Sequence, residues 1–87
     1  MKIKDGFVAR EVGGETIVIA VGERSHEFNA MITLNETGKF LWERMSNETD
    51  VESLTAALLE EYEVEEATAR SAVERFAASL EKAGLLG

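Results

Sequence analysis

At Asn35 the spacing of apolar side chains changes from every second residue to every third or fourth. Before it, β-branched and aliphatic residues fill FVAREV (7–12), ETIVIAV (15–21) and FNAMITL (28–34); after it, stripes such as Ala69, Val73, Phe76 and Leu80 recur at helical intervals. A single change of period in one direction limits the fold to strands first and helices second, the α+β class. With 87 residues the chain forms one domain, 1–87, around one core. A hydrophobic share of 45% is too high for a disordered segment.

The first two strands are separated only by Gly13 and Gly14, a loop suited to the positive φ angles of a tight hairpin. That turn sets Val8 opposite Ile19 and Val12 opposite Glu15, with Phe7, Ala9, Val18 and Ala20 on the other face. The polar run GERSHE (22–27) reads as a connection. In the third strand Phe28, Ala30, Ile32 and Leu34 share one face, and Asn29, Met31 and Thr33 the other. The expected sheet is an antiparallel meander with its second strand in the centre.

Asn35 is a good N-cap, with Glu36 and Thr37 in the first turn and Phe40, Leu41, Trp42 and Met45 as the apolar stripe of a helix that ends near Ser46 and Asn47. Thr49 and Glu52 fit a capping box for a second helix with the stripe Val51, Leu54, Ala57, Leu58 and Tyr62. The last helix starts near Glu65 or Glu66 and runs to Ala83 along Ala69, Val73, Phe76, Leu80 and Ala83. Gly84 stops it, and Leu85 and Leu86 fold back. The fold expected is βββααα: a three-stranded antiparallel sheet followed by three helices, a winged helix-turn-helix-like arrangement with the helices on one sheet face.

Catalytic groupings are nearly absent. There is no cysteine, and the one histidine, His26, lies in the polar connection without a second ligand near it, so neither a metal site nor a cysteine nucleophile is expected. Serines 25, 46, 53, 71 and 79 have no base assigned to them, and the Gly13–Gly14 pair precedes a strand rather than the helix a phosphate cradle requires. The expectation is a protein that is not an enzyme and holds no cofactor. MKIKDG at the start lacks the apolar run of a signal peptide, and no stretch suits a membrane span, so a cytoplasmic location without membrane contact is expected.

Nine basic residues against 17 acidic ones give a formal net charge of −8, which repels a nucleic-acid backbone. The last helix sets Arg70, Arg75 and Lys82 against Glu65, Glu66, Glu74 and Glu81, unlike a basic recognition helix, so nucleic acid is not the expected partner. Eight acids with no base among them lie between Met45 and Ala69. They form a solvated face or a docking patch for a basic partner.

One omission stands out. The first strand carries Arg10 and Glu11, charges that guard an exposed edge, whereas FNAMITL has no charge and no proline. Such an edge is either covered by the last helix or used. Used, it takes an extended peptide as an added strand, or pairs with a second copy to make a homodimer through the third strand. The flank of the last helix formed by Arg70, Ala72, Arg75 and Ser79 offers a wall with small side chains for a groove and two bases for an acidic peptide. The alternative for Arg70 is pairing along its own helix with Glu66 or Glu74.

Across essentially the whole chain, "GGETIVIAVGE", "FNAMITLNETGKFLW" and "LLEEYEVEEATARSAVERFAASLEKAGLL" resemble the PqqD-like family, the small peptide chaperones of pyrroloquinoline quinone biosynthesis and their relatives. Ser71 and Ala72 before Val73 depart from the acid that the family often has there. The resemblance implies a RiPP recognition element that binds the leader of a ribosomally made precursor peptide. It implies that the leader adds as a strand beside Phe28, Asn29, Ala30, Met31, Ile32 and Thr33, and packs on Ala72, Arg75, Phe76 and Ser79. Asn35, Thr37, Gly38, Leu41 and Trp42 are then scaffold for the strand-to-helix corner. A second partner is implied as well, a radical S-adenosylmethionine (SAM) enzyme or another peptide-modifying enzyme, which carries any cofactor.

Overall fold

A computed structural model describes residues 1–22 and 32–87. Strands β1 (Phe7–Val12), β2 (Glu15–Ala20) and β3 (Ile32–Leu34) precede helices α1 (Glu36–Arg44), α2 (Val51–Glu61) and α3 (Glu66–Lys82). The sheet order is β1-β2-β3, with both pairings antiparallel. Gly13 and Gly14 take φ of +59° and +84°, the pair of positive angles a two-residue hairpin turn demands. The register is the expected one: Val8 faces Ile19 and Val12 faces Glu15. On the far side of β2, Val18 faces Ile32 and Thr16 faces Leu34. The expected third strand began at Phe28; positions 28–31 lie outside the described residues, as does His26.

One sheet face packs on the helices. Val18 and Leu34 meet Leu41, Trp42 and Met45 of the first helix and its cap, Leu54 and Leu58 of α2, and Ala69, Val73 and Leu80 of α3, all buried. Ile3 and Leu85 close the base of this core through an antiparallel bridge between Ile3 and Leu86, with the Lys4 N–H donating to the Leu85 carbonyl at 2.8 Å. Thr55, on α2, is buried too, which its place outside the apolar stripe did not suggest. Its hydroxyl donates to the Val51 carbonyl at 2.7 Å, so the polar atom is satisfied within the helix.

Helix ends follow local chemistry with three shifts. α1 stops at Arg44 with Met45 as its cap, short of Ser46 and Asn47. The N-cap of α2 is Asp50 instead of Thr49: the Asp50 carboxylate accepts from the Ser53 N–H at 2.7 Å. Thr49 is held in a different role, its N–H donating to the Met1 carbonyl at 3.0 Å. At the end of α3, Gly84 at φ +81° turns the chain; its N–H donates to Glu81 and the Leu85 N–H to Leu80, a Schellman closure that buries Leu85. Ala83, expected on the core stripe, is exposed because the helix has already ended at Lys82. Among the described residues no helix is long and apolar enough to cross a membrane.

Candidate functional site

The corner from β3 into α1 organises one side of the molecule. Leu34 is buried, Asn35 turns the backbone, and the Asn35 side chain accepts from the Gly38 N–H at 2.7 Å. This places the first turn of α1 directly beyond the end of the strand. Gly38 is buried there, and a Cβ on it would lie 3.3 Å from Phe76 Cε1 and 3.2 Å from Asn35 Oδ1. The missing side chain lets the half-buried Phe76 ring of α3 lean against the corner.

On α3, positions 72, 75, 76 and 79 recur at helical spacing and therefore share a face. That face stands opposite β3 and the corner across a cleft with two adjoining depressions. One, of about 330 Å³, lies between Ile32, Thr33 and Leu34 of the strand and Phe76, Ser79 and Leu80 of the helix. The other, of about 370 Å³, lies between Thr37 and Leu41 of α1 and Ala72 and Arg75 of α3. Asn35, Gly38, Phe76 and Ser79 border both, so the two are continuous. Arg75 is the one charged side chain among the described residues that line them. Ser79 donates its hydroxyl to the Arg75 carbonyl at 3.0 Å, which leaves its oxygen free to accept.

The two sheet edges differ. β1 is guarded: Glu11 forms an ion pair with Lys39 of α1. The Lys39 hydrogen bond and charge hold the Glu11 carboxyl below its ordinary range, and the same contact raises the Lys39 ammonium. Among the described residues β3 carries no such pair and is the end strand of the sheet, and Ile32, Thr33 and Leu34 line a depression shared with Phe76, Ser79 and Leu80 of α3.

Of the candidates drawn from the sequence, Ile32, Thr33, Ala72, Arg75, Phe76 and Ser79 come together in this cleft. Phe28, Asn29, Ala30 and Met31 lie outside the described residues. Arg70 does not line the cleft. Five residues before Arg75 it has turned well away around the helix, and its guanidinium lies 3.7 Å from Glu52 of α2 rather than reaching an acid of its own helix. Asn35, Thr37, Gly38 and Leu41, expected only to brace the corner, border the cleft as well. The signal for them was present: an N-cap immediately after the last strand residue puts the first helical turn at the end of the strand. Trp42 is buried in the core.

Comparison with curated proteins gives no match. Among solved structures, that of TbiB1 in complex with the TbiA(beta) leader peptide aligns with a TM-score of 0.78 at 22% identity, covering 99% of this chain and 94% of that one. It shares the fold described above, three antiparallel strands followed by three helices. The family model of coenzyme PQQ synthesis protein D (PqqD) matches residues 15–86, from the first residue of β2 past the end of α3. The chain belongs to the coenzyme PQQ synthesis protein D family.

Proposed function

We propose that this protein is a non-catalytic adaptor that captures the leader of a ribosomally made precursor peptide by strand addition at β3 and presents it to a modifying enzyme of the radical SAM class. The observation that carries the reading is the unguarded β3 edge opening on a cleft walled by α3. An added strand gains backbone hydrogen bonds from the edge and specificity from side-chain pockets beside it. Family membership and a fold shared with TbiB1, which was solved with a leader peptide, support the same reading. The cleft supplies shape, neutral polar groups and one cation; proton transfer calls for an acid and a base in reach of each other. The adaptor then works by mass action. Holding leader and enzyme together raises the local concentration of the segment to be modified.

The test is titration of the protein with a fluorescent leader from a short peptide encoded beside its gene. Saturable binding, weakened by Phe76→Ala and Arg75→Ala, is the expected result; an unbound leader overturns the reading for that partner. The same free edge favours a second reading, self-pairing of β3 between two copies. A concentration series by light scattering on the protein without leader separates the two, since self-pairing moves the mass toward that of a dimer as concentration rises and a leader-binding monomer keeps its own mass.

A further inference from the structure

We infer that the peptide this cleft accepts carries a single acidic side chain two residues away from a large apolar one. The inference rests on the peptide-adaptor reading above and specifies the chemistry of its ligand. An extended peptide lying along β3 sends alternate side chains to the same face, so neighbours on that face are two residues, roughly 6.6 Å, apart. The cleft offers two depressions of contrasting character that adjoin through Asn35, Gly38, Phe76 and Ser79, close enough for neighbouring side chains on one peptide face to enter both. The one at the strand is walled by Ile32, Leu34, Phe76 and Leu80 and suits an aliphatic or aromatic side chain. The one at the corner has Arg75 as its one charged side chain among the described residues.

Arg75 differs from other bases nearby. Arg70 is occupied by Glu52 and Lys39 by Glu11, whereas among the described residues no carboxylate lies within ion-pair distance of Arg75. Its fork of donors matches a carboxylate. The rest of the surface selects against more than one acid, because a chain of net charge −8 repels every acidic residue that does not fall opposite a cation. The ligand is therefore neutral or basic overall, with one acid placed against Arg75.

Selection of random dodecapeptides displayed on phage, run in parallel on the full chain and on Arg75→Glu, tests this. Arg75 is exposed, so the variant is expected to fold, which circular dichroism checks. Enrichment of Asp or Glu two residues from a large apolar residue on the native chain, changing to Lys or Arg on Arg75→Glu, is the expected outcome. Replacing the acid of an enriched peptide by its amide then weakens binding about fivefold, and less in high salt, as for an exposed ion pair. Enriched peptides that shift the β3 and α3 amides without preferring an acid overturn this inference and leave the adaptor reading standing. A selection that yields no peptide acting on those amides overturns both.

Discussion

At position 38 a methyl group would crowd the Phe76 ring and the Asn35 cap oxygen, at 3.3 and 3.2 Å, so Gly38→Ala opposes two effects. Helix propensity favours alanine by about 1 kcal/mol, while the cleft wall must shift to admit it. The variant is expected to keep its melting temperature within about 4 °C and to lose peptide affinity by about tenfold, read from thermal melts and a peptide titration. Asn35→Ala acts on the fold as well. Loss of the N-cap costs about 1 kcal/mol, which lowers the melting temperature of a domain this size by about 4–8 °C; Asn35→Asp, which can still accept from the Gly38 N–H, restores most of it. Asp50 gives the chain an acid-sensitive cap. The Ser53 N–H, and then its hydroxyl, hold the Asp50 carboxyl below its ordinary value, so between the two values the unfolded chain binds more protons. The cap's contribution is full above about pH 4 and is lost as pH falls through the lowered value. Asp50→Asn is expected to flatten the acid limb of stability against pH; an unchanged limb would show that the cap does not titrate.

At the scale of elements, the parts written in neighbouring residues were legible. The Gly13–Gly14 hairpin with its register, the Asn35 cap and the Gly84 stop each depend on a few adjacent positions, and each stands where the pattern put it. What failed depended on contacts between distant segments. Asp50 rather than Thr49 caps α2 where the Thr49 backbone pairs with Met1, and Arg70, already turned away from Arg75 by the helix itself, meets Glu52 across the α2–α3 packing. Half of the cleft was legible for the same reason. The face of α3 follows from spacing, whereas the role of Thr37 and Leu41 follows from how closely the corner approaches that face. α3 has separable sides, and two substitutions distinguish them. Leu80 is 1% exposed, so Leu80→Ala is expected to cost about 2–5 kcal/mol in urea denaturation. Phe76→Ala removes a half-buried ring that lines the cleft, and is expected to reduce peptide binding far more than stability.

For the whole molecule, the excess of acids sets the terms of association. A net charge of −8 is unfavourable to a compact chain and to any polyanion. Added salt should raise the melting temperature by screening self-repulsion, and a short DNA duplex should not be retarded by the protein in a gel at low ionic strength, where charge attraction is strongest. Retardation there would contradict the expectation, drawn from charge, that nucleic acid is not a partner. Among the described residues the sheet, helices and charge leave the β3 edge without a guarding ion pair, and the proposed function requires a peptide to add to it. The most direct test is a ¹H–¹⁵N titration of the labelled chain with the leader of a short peptide encoded beside its gene, following the amides of Ile32, Thr33 and Leu34 and of α3. Strand addition predicts shifts concentrated in those two elements, with new protection from hydrogen exchange in β3. Saturating leader that binds elsewhere, leaving the β3 amides unshifted and exchanging as before, would contradict it.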